Sequence, residues 1–143
     1  MVVGVFSPRI TRNQEDSMVK IGAIAFSATL LAATIAFAQT APTKTGDSTK
    51  GKVLTDGKGM TLYTFDKDDG GKSACNGPCA TNWPPLTASA DAKPTGAYTI
   101  VTRDDGGKQW AYKSKPLYTW SKDTKAGDVT GDGVNNVWHI ATP

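Results

Sequence analysis

Cys75 and Cys79, in the stretch CNGPC, are the only two cysteines of the chain and the first residues whose types could do chemistry. Thiol–disulfide enzymes favour C-x-x-C at a helix N-terminus, where the local field stabilises a thiolate. Here the spacing is C-x-x-x-C inside a Gly/Pro turn. That pattern is expected to be a structural disulfide, with a redox pair or a metal-binding pair as alternatives. Two thiolates do not complete a zinc site, and the single histidine, His139, is far away in sequence.

A second candidate is GDVTGDGVNN. Asp128-x-Thr130-x-Asp132-Gly133 imitates the opening of a calcium loop. Its twelfth position is His139 rather than the bidentate Glu that such loops use. Asp123 lies close enough in sequence to contribute. Asp123, Asp128, Asp132 and His139 are therefore a speculative metal set, set against ordinary Asp/Gly turn chemistry. His139 with Met60 is a weaker pair of copper-type donors. No C-x-x-C-H is present for covalent haem, and no Ser or Cys nucleophile sits in a recognisable motif. No Glu follows Glu15, so paired carboxylates for hydrolysis would have to come from turn Asp residues. The expectation is a protein without catalytic residues and with no identifiable cofactor.

The aromatics are the third candidate: Tyr63, Phe65, Trp83, Tyr98, Trp110, Tyr112, Tyr118, Trp120 and Trp138. An exposed row of them would suit a glycan or a peptide. A small sheet also needs such side chains to fill its core, and that use is expected for most of them.

The elements that must position these residues are strands. Short β-branched and apolar runs at Lys52–Thr55, Thr61–Asp66, Ala97–Arg103, Gln109–Lys113, Leu117–Ser121 and Val137–Ala141 alternate with DGKG and DDGGK turns. Those turns supply the positive-φ positions of hairpins. One helical turn is expected at Ala80–Trp83, stopped by Pro84 and Pro85. The expected fold is all-β, a small sandwich or barrel-like sheet.

LYTFDKD (Leu62–Asp68) returns fifty-five positions later as LYTWSKD (Leu117–Asp123), and Trp83 returns as Trp138 at the same offset. The fold is therefore expected to contain two pseudo-repeats. In each, a Tyr/aromatic strand leads to an Asp that fixes the following loop through backbone N–H groups, and a Trp closes that loop. Cys75 and Cys79 align with Thr130 and Val134, so one copy holds its loop with cysteines where the other has aspartates.

LYTFDKD, ACNGPCATNWPPL, DDGGKQWAYKSKPLYTWSKD and GDVTGDGVNNVWH together resemble the bacterial secreted repeat family with the Y-X4-D motif, often filed under predicted lipoproteins. Tyr63–Asp68 and Tyr118–Asp123 are the two motif copies. The resemblance implies export and a two-repeat β domain, and brings no established activity.

Residues 18–38 carry Lys20, an apolar run and Ala36-Phe37-Ala38, the pattern of a secretory signal peptide. A retained membrane helix is the alternative. No Cys lies near the cleavage site to carry a lipid anchor. Residues 1–17 read as a start called too early or as disorder, with Met18 the alternative start. Residues 39–51 read as a flexible leader, and 52–143 as the two-repeat domain. With a scattered net charge of +3, no basic block argues for nucleic acid. The expected protein is periplasmic or extracellular and non-catalytic. It has no stable membrane span after cleavage, and a protein, glycan or small molecule at the cell envelope is its partner. Its alternative is a metal-binding or redox accessory protein.

Overall fold

A computed structural model describes residues 41–143. The segments expected to be a mis-called start (1–17) and a signal peptide (18–38) lie outside the described residues. No described helix is long and apolar enough to cross a membrane.

The described part is built almost wholly of short strands: β1 (Lys44–Ser48), β2 (Gly51–Thr55), β3 (Tyr63–Phe65), β4 (Tyr98–Thr102), β5 (Lys108–Tyr112), β6 (Lys115–Pro116) and β7 (Trp138–Ile140). One helix, α1 (Pro78–Asn82), and a 3-10 turn at Val134–Asn136 complete it. The strands form three small antiparallel sheets, β1-β2, β3-β7 and β4-β5-β6, linked by isolated bridges such as Tyr63 to Tyr118.

Three boundaries differ from the sequence reading. The leader expected over 39–51 is strand from Lys44 onward. β1 is almost entirely polar, so apolar burial does not order it. A full backbone ladder to β2 does, from Lys44 opposite Thr55 to Ser48 opposite Gly51. Further ties are a hydroxyl contact from Thr43 to Tyr98 and a 2.6 Å ion pair from Lys50 to Asp132. The strand expected at Leu117–Ser121 is replaced by β6, which lies earlier, followed by single bridges. Lys113 and Ser114 both take positive φ (48° and 66°), making a tight hairpin turn without glycine. The helical turn begins at Pro78, where a missing N–H costs nothing, and ends before Trp83.

The two copies are related by a local pseudo-twofold axis. Tyr63 and Tyr118 exchange both backbone hydrogen bonds, at 2.8 and 3.0 Å, so the axis passes between them. Away from it, the same ring of three backbone bonds is built twice. Leu62 donates to Leu54, Leu54 to Ala141 and Ala141 to Leu62. In the other copy Leu117 donates to Trp110, Trp110 to Leu86 and Leu86 to Leu117.

These rings show that the copies exchange arms. β3 of the first copy pairs with β7, which begins at Trp138 of the second. Pro85, which follows Trp83 of the first copy, bridges to Tyr118 of the second. The buried core has two parts, both assembled across the axis: Tyr63, Cys75, Trp83, Tyr118 and Trp138 in one, and Leu54, Leu62, Leu117 and Ala141 in the other.

Candidate functional site

The motif residues meet in a crossed pattern. Tyr63, in the first motif, donates its phenolic O–H to Oδ2 of Asp123 in the second at 2.5 Å. Tyr118, in the second, donates to Oδ2 of Asp68 in the first at 2.7 Å. Each carboxylate uses its other oxygen on the loop that follows it. Asp68 accepts from the Ala74 N–H at 2.7 Å, and Asp123 accepts from the Thr130 N–H and hydroxyl at 3.0 and 2.5 Å. Both tyrosine rings are fully buried and Asp123 nearly so. Burial and the facing carboxylate push both phenols well above their ordinary range, so both stay protonated donors. Burial also raises Asp68 above the usual carboxylate value, against the pull of its hydrogen bonds and Arg103.

The two corners are finished differently. At the Asp123 corner, Gly131 donates its N–H to the Tyr63 oxygen at 3.2 Å. At the Asp68 corner, Ser73 donates to Tyr118 at 2.7 Å and itself accepts from Arg103 at 2.9 Å. Arg103 is buried and also donates to Gln109 Oε1 at 2.8 Å and to the Cys75 carbonyl at 2.6 Å. Gln109, fully buried, spends its amide on the Leu117 carbonyl. Sequence reasoning missed Ser73, Arg103 and Gln109. One signal was available: Arg103 is the only arginine after Arg12 in a lysine-rich chain, and a planar set of five donors is what a buried multi-acceptor site requires.

Cys75 and Cys79 form a disulfide. It closes the loop that begins α1, and through the Cys75 carbonyl it abuts the Arg103 network.

The speculative metal set does not converge. Asp123 is consumed by Tyr63 and Thr130. Asp128 caps the turn at Thr124 and Lys125, whose N–H groups hold its carboxyl below the usual range. Asp132 pairs with Lys50, which lowers it, and accepts from the Ile140 N–H at 3.1 Å. His139 points Nε2 at Asp66, 2.7 Å away. Among the described residues no three His, Cys, Asp or Glu side chains are placed to hold a metal. The calcium-like spacing fails because the loop turns each carboxylate towards a different backbone segment.

The aromatics do converge. Phe65, Trp138, Trp83 and Trp120 form one continuous column, with ring centroids 4.1, 3.8 and 3.9 Å apart and interplanar angles of 15°, 4° and 26°. The pseudo-twofold axis exchanges Trp83 with Trp138 at its centre and Phe65 with Trp120 at its ends. Tyr63 stands edge-on to Trp83 at 5.4 Å, and Tyr118 edge-on to Trp138 at 5.1 Å. The edge-on contacts have the geometry that the ring quadrupoles favour. The central pair is buried and both ends are half-buried, with Lys122 lying 5.6 Å above Trp120. Gly131 runs against this column; a Cβ there would come within 2.8 Å of Trp83. An open groove of about 440 Å³ flanks the other side, with Phe65, Lys67, Asn82, Asn135 and Trp138 among its walls.

The family comparison follows the same division. No curated protein and no solved structure matches the chain. A family model described as a secreted repeat of unknown function matches twice, over residues 44–87 and 99–142. The two matched segments begin fifty-five residues apart, the offset that relates the two Tyr–Asp corners, and together they span more than half of the sequence. The chain belongs to this secreted repeat family.

Proposed function

We propose that this exported protein is a non-catalytic module of the cell envelope, periplasmic or extracellular, whose Y-X4-D copies are its scaffold. The observation that carries the reading is the crossed pair of Tyr–Asp bonds. Both tyrosine hydroxyls and all four oxygens of the two aspartates have internal partners, and neither tyrosine nor Asp123 is open to a substrate. Charge-assisted bonds of this kind each contribute about 1.5–3 kcal/mol, enough to justify the motif by stability alone.

Partner binding then belongs to the surface. The groove beside Phe65 joins an aromatic wall to two side-chain amides, Asn82 and Asn135, and one cation, Lys67. An aromatic wall with convergent amides suits a hydroxyl-rich ligand with an apolar face, so a glycan is the partner class it favours.

The test separates scaffold from site. Asp68→Ala and Asp123→Ala are each expected to lower the melting temperature. Asn82→Ala and Lys67→Ala should leave melting unchanged and weaken binding of soluble cell-wall glycan fragments, followed by NMR titration. Unchanged melting in the Asp variants would sink the scaffold reading. Glycan shifts that ignore the groove variants would sink the binding face.

A further inference from the structure

The aromatic column and the two Tyr–Asp pairs meet in a way that scaffolding does not require. We propose that they form a one-electron relay: an external one-electron oxidant takes an electron at Trp120, and the vacancy passes through Trp83 and Trp138 to a tyrosine that gives its proton to the facing aspartate.

The stacking carries the electronic part. Trp120, Trp83 and Trp138 are in van der Waals contact face to face, at 3.9 and 3.8 Å. Indole is among the easiest side chains to oxidise, and overlap between parallel indoles spreads and stabilises a cation radical. Trp120 is the half-buried end. The opposite end is Phe65, whose ring is far harder to oxidise, so the column is open at one end and insulated at the other. Lys122 above Trp120 disfavours positive charge there and biases the vacancy inward.

The hydrogen bonds carry the proton part. A phenol is oxidised at accessible potential only when its proton leaves with the electron. That requires a base within hydrogen-bond reach, about 2.6–3.2 Å. Asp123 and Asp68 stand at 2.5 and 2.7 Å, each accepting from its tyrosine. The oxidant gains one electron, Tyr63 loses one electron, and its O–H proton bonds to Asp123 Oδ2. The products are a neutral tyrosyl radical, a protonated Asp123 and the reduced oxidant. A one-electron reductant reverses it, and Asp123 returns the proton.

The two ends of the relay are unequal. Arg103 is tied to Tyr118 through Ser73, and a cation there opposes loss of an electron. Among the described residues no cation hydrogen-bonds to Tyr63 or Asp123. Tyr63–Asp123 is the favoured resting place of the vacancy.

The probe is photogenerated tris(bipyridine)ruthenium(III), read by transient absorption and electron paramagnetic resonance. The background is the full folded protein carrying Tyr98→Phe and Tyr112→Phe, which removes the more exposed phenols. The expected result is a tryptophan radical cation that decays into a neutral tyrosyl radical. Asp123→Asn keeps an acceptor but no base, and should slow tyrosyl formation on the order of a hundredfold. Trp120→Phe closes the entry and should cut the tyrosyl yield several-fold. Absence of any tyrosyl radical in the background protein overturns the proposal. So does an unchanged rate in folded Asp123→Asn, or an unchanged yield in Trp120→Phe. Should Asp123→Asn not fold, the Trp120→Phe yield decides alone. A purely structural role moves melting in these variants and gives no tyrosyl signal, so this test fails or succeeds apart from the scaffold one.

Discussion

The two corners of the molecule use one motif and two ways of finishing it. Around Tyr118–Asp68 the following loop is closed by a disulfide, and a buried arginine threads through Ser73, Gln109 and the Cys75 carbonyl. Around Tyr63–Asp123 the corresponding loop has neither. It relies on Thr130 and Gly131 at the motif and on Asp128 and Asp132 further out. The difference teaches that the repeat specifies a strand, a crossed tyrosine–aspartate bond and a stacked Trp, and leaves the loop between them free to change. A covalent bond and a set of Asx-type turns are alternative solutions to one geometric demand, which is to bring the chain back to the column.

The comparison can be broken outright by separating the copies. Because each copy supplies the pairing partner of the other, fragments 41–90 and 91–143 alone are expected to lack native structure. Mixing them should restore it. Amide NMR spectra of each fragment and of the mixture check this, and a folded spectrum from either fragment alone would contradict the arm exchange.

Asp123→Ala should cost about 3 kcal/mol and Asp68→Ala about 2 kcal/mol, measured by urea denaturation. The first leaves the buried Tyr63 hydroxyl and two half-buried Thr130 bonds without their acceptor. The second leaves Tyr118 with Ser73, and its other lost donor, Ala74, lies at the surface.

Gly131→Ala should cost about 2 kcal/mol by forcing Trp83 aside, since a Cβ there meets the ring at 2.8 Å. Asn76, the matching position in the cysteine loop, bonds Asp104 at the surface and accepts only a long 3.4 Å bond from Arg103. Asn76→Ala should stay within about 0.5 kcal/mol. The same denaturation series compares the pair.

The double variant Cys75→Ser, Cys79→Ser should lose only about 1 kcal/mol, because so short a loop removes little chain entropy from the unfolded state. A larger loss would mean that the disulfide also holds the Arg103 network in place, which melting of Arg103→Leu with and without reductant would sharpen.

The smallest effect is on pH dependence, and it has opposite signs at the two corners. Asp68 is raised above 3.8 in the folded state, so its contribution to stability falls as pH climbs from 3.8 through the raised value. Asp128 and Asp132 are lowered. Their contribution is present above 3.8 and fades as pH falls through the lowered values. Carboxyl-carbon NMR titration should find Asp68 titrating at higher pH than Asp128 and Asp132.

Much of this was legible in the sequence. The heptad pair and the Trp at the same offset announced two β copies, and alternation placed the hairpins. What spacing cannot show is which copy a side chain serves. Tyr63 and Asp68 are near neighbours in sequence, yet each bonds to the other motif, because the two motifs cross antiparallel at Tyr63 and Tyr118. The same limit left the reading of Asp128, Asp132 and His139 open between turn chemistry and a metal set. Their spacing imitates a cation loop, but ligand convergence depends on loop dihedrals that turn chemistry fixes locally. β1 escaped notice because its order comes from its backbone ladder, which polar side chains do not advertise. Arg103 and Gln109 were hidden for the opposite reason. They are polar residues in core positions, where pattern reasoning expects an apolar one.

The arm exchange has a consequence for when the domain can close. Leu54 and Leu62, early in the domain, find their backbone partners at Ala141. β3 therefore has no strand to pair with until β7 has been synthesised. A contact of such long sequence separation slows folding, and here it also delays it. A domain whose β3 stays unpaired until β7 is made stays open while it is being synthesised. The order of strands is thus a timer set by topology, holding the two copies apart until the closing strand arrives.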